Sequence, residues 1–338
     1  ILSLPCPRYA RTPRGRRWAA SQLKQQHIML SSIIRYYHSR HVSFLSFALR
    51  LAEECHVEGH YSREANYLTA IRSFSAAEGK MPLGKVSKDV VAHYQQWMKG
   101  QGISSNTASC YNRTLRAIYN KAVARGLTFD RQPFQDCYTG RARTLKRSIN
   151  ADCIKRLRQA DLHDHDSLRT TRDLFLFSFY AMGMPFVDMA YLRKEQIVDG
   201  TLTYHRHKTS QLVRVPLCDD AIHIINIYGR SKSVYALPIL SSTAEPAAYR
   251  EYCGKLNAYN KDLKRLAKAV GIDHALSSYT MRHSWASIAY KAGVPLPVIS
   301  QALGHARPDT TMVYIRSIDD SLLRKGNDAV MDIVAGTI

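Results

Sequence analysis

The chain has 338 residues, too many for one ordinary domain and about right for two. Its 45% hydrophobic content can fill globular cores, while no apolar run approaches the roughly 18 residues of a membrane-spanning helix, so a soluble protein is expected. Its 48 Lys and Arg against 27 Asp and Glu leave a formal charge of +21, a surplus that points to a polyanionic partner, nucleic acid first.

Residues 1–40 contain no acidic residue and no sustained apolar period, and carry a basic cluster at 11–17. This segment is expected to be disordered. Three readings stay open for it: a DNA-contacting arm, an Arg-rich organellar transit peptide, or translated sequence ahead of a start at Met29.

Residues 41–137 read as a small all-helical domain. Four helical pieces follow one another between 41 and 126, each closed by a glycine just past its last periodic residue. Two of them open on a serine able to cap a helix N-terminus. The last piece lines up Tyr111, Leu115, Ile118 and Tyr119 on one face, and Arg113, Arg116, Lys121 and Arg125 supply positive charge beside it. These arginines, Arg113 and Arg116 first, are candidates for contact with a nucleic-acid backbone; a plain solvated face is the competing reading.

A polar, basic stretch at 138–150 is the predicted linker. Its Arg141, Arg143, Lys146 and Arg147 would lie against phosphates if two domains straddled a duplex. From 151 to 325 a second, mostly helical domain is predicted. It is interrupted by a β-hairpin in which Leu202, Tyr204 and Arg206 alternate on the way in and Val213, Val215 and Leu217 on the way out. Lys208 sits near its turn. The fold class is therefore mainly α (α+β), with a small antiparallel sheet in the second domain. Seven cysteines at 6, 55, 110, 137, 153, 218 and 253 form no Cys-x-x-Cys pair, which argues against a zinc ribbon or a disulfide framework and fits a reducing, intracellular location.

The chemistry concentrates near the C-terminus. Arg282 and His283 fall in the opening turn of a predicted helix, where free N–H groups and the helix dipole favour an anion. His305 follows 23 residues later, directly after a glycine that ends a helix, and Tyr314 follows nine residues after that, beyond Pro308 and Asp309.

Arg282-His283, then Leu303-Gly304-His305, then Tyr314, with Lys208 on an upstream hairpin, resembles the catalytic domain of the tyrosine recombinases of the phage-integrase family. The resemblance covers about 42 to 325, with the four-helix segment similar to that family's core-binding domain. It implies that Tyr314 attacks a DNA phosphodiester to form a 3′-phosphotyrosine, releasing a 5′-hydroxyl. A free tyrosine, with a pKa of about 10, is a poor nucleophile at neutral pH, so positive neighbours must help. Arg282 would hold the non-bridging oxygens, His305 would hydrogen-bond the phosphate or assist proton transfer, and Lys208 would protonate the leaving oxygen. The resemblance implies no metal or cofactor. The implied partner is double-stranded DNA bound by a homotetramer on two sites, with a DNA-bending accessory protein available and residues 326–338 free for exchange between protomers.

Two positions depart from the family pattern. Tyr279 stands where a histidine or lysine is usual, three residues before Arg282, and its hydroxyl can still donate to phosphate. The first arginine of the family is missing: Met182 and Pro185 occupy its candidate positions, ahead of an acidic residue matching Asp188, and no Arg or Lys lies between Arg172 and Arg193. Either another cation such as Arg193 or Arg214 substitutes, a partner supplies it, or the protein binds DNA without efficient cleavage. The expected activity is site-specific recombination, slow or compensated. A degenerate DNA-binding relative and a monomeric topoisomerase-like nicking-closing enzyme are the alternatives.

Overall fold

Ser87 and Ser104 each accept a hydrogen bond from the backbone N–H three residues on, at 3.3 Å in both cases, and so start two of the predicted helices. In the computed structural model, which describes residues 13–142, 148–229, 232–305, 311 and 320–335, these are α4 (Lys88–Gly100) and α5 (Ser105–Ala124). The chain divides into two compact units, Ile1–Thr144 and Leu145–Ile338.

In the first unit, α2 (Phe44–Val57) and α3 (Tyr61–Glu78) precede α4 and α5, and all four end near the glycines that the sequence offers as stops. Their shared core holds Phe44, Phe47 and Leu51 of α2, Ile71 and Phe74 of α3, Tyr94 of α4, and Leu115, Ile118 and Tyr119 of α5, all at most 1% exposed. Burying each such side chain contributes about 1.5–3 kcal/mol. Phe74 meets the rings of Phe44 and Tyr94 edge-on, with centroids 5.4 and 5.2 Å apart.

Two expectations change here. The segment expected to be disordered contains a 29-residue helix, α1 (Pro13–His41). Between residues 16 and 41 the chain has no glycine or proline and many strong helix formers, so intrinsic propensity favours a helix even though no apolar stripe marks it. Its middle exposes Leu23, Ile28, Met29, Leu30 and Ile33, and it becomes buried only near its end, at Ser39 beside Gly84.

The start of the predicted linker, in addition, is tied to the first unit. Residues 138–142 run along α5 as a strap. Asn106 exchanges two hydrogen bonds with the Ala142 backbone (2.8 and 3.1 Å), Ser109 donates to the Gly140 carbonyl (2.6 Å), and Asn112 donates to that of Tyr138 (3.0 Å). Three polar residues spaced by three along one helix face satisfy an otherwise unpaired backbone.

The second unit is mostly helical with one small sheet. It comprises α6 (Ala151–Gln159), α7 (Asp166–Tyr180), α8 (Phe186–Ala190), strands β1 (Ile197–Val198), β2 (Thr201–His205) and β3 (Leu212–Pro216), then α9 (Asp219–Tyr228), α10 (Ala247–Ala269), α11 (Thr280–Lys291), α12 (Leu296–Ala302) and α13 (Asp320–Val334). The strands are antiparallel in the order β1-β2-β3, with Leu202 opposite Val215 and Tyr204 opposite Val213. Those four side chains face inward and pack in one cluster with Phe175 and Phe177 of α7, Leu263 of α10 and Met281 of α11. No helix among the described residues is long and apolar enough to cross a membrane.

Candidate active site

The opening turn of α11 is locked from inside. The Thr280 hydroxyl accepts the Ser277 N–H at 3.0 Å, while Ser284 donates to the Thr280 carbonyl and accepts the Ile149 N–H, both at 2.9 Å. This holds Arg282 inward at 1% exposure, although an arginine is seldom buried without a purpose. Its Nη1 donates to the Gly183 carbonyl at 3.0 Å, and its Nη2 donates to the Leu303 carbonyl and to His305 Nε2, the latter at 3.0 Å. Its Nε is buried with no hydrogen-bond partner among the described residues.

A second arginine reaches the same place. Arg206, 5% exposed, follows β2 on the inward phase set by Leu202 and Tyr204. Its Nη1 donates to the carbonyls of Leu303 (3.2 Å) and Gly304 (3.1 Å), and its Nε faces Asp188 Oδ2 at 3.4 Å. Asp188 Oδ1 accepts the His207 N–H at 2.9 Å, so one buried carboxylate fixes both the arginine and the start of the hairpin turn. No partner for Arg206 Nη2 occurs among the described residues.

Two glycines let the cations come this close. Gly304 has φ +60°, and a Cβ on it would stand 2.5 Å from Arg206 Cδ and 2.6 Å from Val213 Cγ2. Gly183 has φ +75°, and its Cβ would lie 2.9 Å from Arg282 Cα. Neither position has room for a side chain, and both demand the left-handed backbone that glycine adopts without cost.

His305 completes the cluster. Its backbone N–H ends α12 by donating to the Ser300 carbonyl at 3.0 Å, and its Nδ1 lies 2.7 Å from the hydroxyl of Thr311, a fully buried residue. Burial first, then the charges of Arg282 and Arg206, push its pKa down to about 4. At neutral pH the site therefore holds two guanidinium groups, one neutral imidazole and the Asp188 carboxylate, a local excess of positive charge suited to an oxyanion.

The phage integrase family model matches residues 147–320, more than half of the chain. The chain belongs to the phage integrase family. A second model, the phage integrase SAM-like domain, matches residues 43–139. Among curated relatives of this integrase-family chain, the tyrosine recombinase XerD of Rhizobium meliloti (strain 1021) is 26% identical over 259 residues, 74% of this chain and 82% of the relative. XerD of Pseudomonas putida is 24% identical over 243 residues, 70% of this chain and 80% of the relative. Among solved structures, a lambda integrase dimer bound to a COC′ core site superposes with a TM-score of 0.62 at 18% identity, covering 93% of both chains. The Tn1549 transposon integrase in complex with a circular intermediate DNA gives 0.61 at 14%, covering 85% of this chain and 99% of that one.

Placed in this integrase fold, the predicted site residues separate. Arg282 and His305 meet as described. Lys208 lies in the exposed turn of the hairpin, two residues beyond Arg206. Tyr279 is 43% exposed at the start of α11, its ring centroid 5.5 Å from that of His283. Arg113 and Arg116 are exposed on α5, and Arg141 is exposed on the strap held to that helix. Tyr314, Arg143, Lys146 and Arg147 lie outside the described residues.

Three expectations are corrected. Arg193 is exposed beside Glu195, and Arg214 alternates to the outer face of β3, so neither joins the cluster. Arg206 does, and the signal for it was the alternation that already grouped it with Leu202 and Tyr204. Arg125, named with the positive charges of the fourth helical piece, makes a two-pronged ion pair with Glu54 at 2.7 and 2.6 Å. Its partner sits on α2, far away in sequence.

Proposed function

We propose that this integrase-family chain is a site-specific DNA recombinase that cuts and rejoins strands through a 3′-phosphotyrosine on Tyr314, with Arg206 standing in for the arginine missing at Met182 and Pro185. The observation that carries the reading is the convergence of Arg206 and Arg282 on the Leu303 carbonyl beside His305. A scissile phosphate seated there takes over the donors now spent on backbone carbonyls. The Tyr314 oxygen bonds to phosphorus as the bond to the 5′-oxygen breaks. Lys208, at the tip of the hairpin, gives its proton to that leaving oxygen. The two arginines neutralise the non-bridging oxygens as charge builds. The phosphotyrosine keeps the bond energy of the strand, so religation proceeds by the reverse displacement.

The substrate is double-stranded DNA, consistent with the net charge of +21 and with the exposed Arg113, Arg116 and Arg141. The working assembly is a homotetramer on two sites. A lambda integrase tetramer bound to a Holliday junction superposes with a TM-score of 0.60 over 90% of this chain. Exposed Val330, Met331, Ile333 and Val334 on α13 offer an apolar surface for exchange with a neighbouring protomer. A DNA-bending accessory protein and a cytoplasmic, nucleoid-associated location belong to the same reading.

The missing first arginine favours a second reading, a relative that binds DNA without cutting it. Nicked suicide duplexes, selected from a random library for binding to the protein, separate the two. The recombinase gives covalent protein–DNA adducts that Tyr314→Phe abolishes while binding persists. A wild-type protein that binds but never forms an adduct overturns the proposal. Relaxation of supercoiled plasmid by monomer alone would assign the nicking-closing alternative instead.

A further inference from the structure

His305 is held at both ring nitrogens. Nε2 lies 3.0 Å from Arg282 Nη2, and Nδ1 lies 2.7 Å from Thr311 Oγ1. A guanidinium can only donate, so Nε2 must be the acceptor in that contact. The ring is neutral at ordinary pH, so its one proton sits on Nδ1 and is donated to the Thr311 hydroxyl. Thr311 is fully buried and lies three residues before Tyr314 in the chain.

We propose that Thr311 is a positioning residue that holds His305 as the Nδ1–H tautomer, so that Nε2 is capped by Arg282 at rest and becomes a proton acceptor when a DNA phosphate claims that arginine. The inference rests on the reading of the site given above. Phosphate binding turns Arg282 from His305 and the Leu303 carbonyl toward the incoming oxygens, which uncovers the basic nitrogen in the same event. Nε2 then takes the phenolic proton of Tyr314 as the Tyr314 O–P bond forms, and Lys208 protonates the 5′-oxygen as the P–O bond breaks. The imidazolium so formed donates from Nδ1 to Thr311 and from Nε2 to the phosphate. Among the described residues, the charged groups that face His305 are Arg282 from α11 and Arg206 from the hairpin, with Asp188 of α8 behind Arg206. Arg282 and Arg206 both oppose a proton on the resting ring.

The test uses the full chain with ¹⁵N-labelled histidine, whose long-range ¹H–¹⁵N spectrum distinguishes the two tautomers. The chain has 14 histidines, and His305→Gln identifies the signal by its loss. The expected wild-type pattern is Nδ1–H, kept in Thr311→Ser and shifted toward the Nε2–H form in Thr311→Val, which matches threonine in shape but lacks the hydroxyl. Adduct formation on suicide duplexes should fall about 10-fold in Thr311→Val and stay within about 2-fold in Thr311→Ser, with DNA affinity unchanged. The proposal is overturned by an Nε2–H pattern in the wild type, by a Val variant with an unaltered tautomer, or by equal losses of rate in Ser and Val. The wild-type spectrum decides even where the Val variant does not fold. If the wild type forms no adduct, the recombinase reading fails while the spectrum still settles the tautomer.

Discussion

Arg206 and Arg282 donate to the same acceptor, the carbonyl oxygen of Leu303. The two residues come from a hairpin and a helix 76 positions apart in sequence, and a single buried carboxylate, Asp188, compensates one of them. Two guanidinium groups at one neutral oxygen repel each other more than that oxygen can offset in a poorly solvated site. An anionic oxygen in its place would relieve the repulsion and engage the donors, which is what the proposed seating of a scissile phosphate asks of the two arginines.

Arg206 is therefore expected to matter to the chemical step more than to binding. Arg206→Lys keeps a positive charge near Asp188 but loses the planar fork that spans two carbonyls. It should lower adduct formation on suicide duplexes at least about 10-fold, and Arg206→Ala about 10²–10³-fold, with duplex affinity near wild type in both. Gel-shift and adduct assays on the same preparations check this; a Lys or Ala variant that cleaves at the wild-type rate would remove Arg206 from the mechanism.

Gly304→Ala tests the closeness of the packing. The added methyl would stand 2.5 Å from Arg206 Cδ and 2.6 Å from Val213 Cγ2 on a backbone with φ +60°. Overpacking of this kind costs about 1–3 kcal/mol, and the left-handed backbone adds to it. The expected result is a lower melting temperature together with a loss of adducts, because the methyl displaces Arg206 itself. A melting temperature equal to wild type would show that the hairpin yields freely.

The pH dependence of stability follows from His305, whose pKa falls from 6.5 to about 4 on folding. Between those values the unfolded chain binds the proton and the folded chain does not, so the unfolded state is favoured as pH drops. The contribution of His305 is fully present above pH 6.5 and is lost progressively down to about pH 4. Chemical denaturation across that range should show a slope that His305→Gln reduces. An unchanged slope would mean that folding does not shift the pKa of this ring.

How much of this was legible in the sequence depends on how local each signal is. The helices of the first unit follow from serine caps and glycine stops, which act within a few residues, and the hairpin follows from alternation. Arg282 and His305 were recognisable by their spacing. Residue type alone does not single out Arg206 from Arg193 and Arg214; strand phase decides which arginine points inward. The pairing of Arg125 with Glu54 and the strap of 138–142 on α5 depend on tertiary contacts across 71 and about 30 residues, which no local pattern encodes. α1 has no apolar period to betray it; only its propensity does.

In the first unit, Arg113 and Arg116 are exposed while Arg125 is engaged by Glu54, and the three should behave differently. Replacing Arg113 and Arg116 together by Ala should weaken DNA binding regardless of sequence and reduce the slope of log K against log salt by about 2. Arg125→Ala should leave that slope nearly unchanged and, as an exposed ion pair, alter stability by less than about 1 kcal/mol. Salt titrations of duplex binding separate them. Equal slopes for all variants would place the duplex on another face of α5.

Met182→Arg asks whether the missing arginine is a defect. Met182 has φ +55° and is half-buried against the core of the second unit, one residue before the glycine whose carbonyl accepts from Arg282. If Arg206 already supplies the second cation, a further arginine adds repulsion among three guanidinium groups without a new phosphate oxygen to serve. Adduct formation should then rise by less than about 3-fold in the wild-type background, small beside the 10²–10³-fold worth of an absent donor. In the Arg206→Ala background, where the cradle has one cation, the same substitution should recover more of the rate. The two gains measured side by side form a double-mutant cycle whose coupling reports whether positions 182 and 206 serve one role. A gain of 10²-fold in the wild-type background would show that the first-arginine site is empty in this protein and that Arg206 is structural.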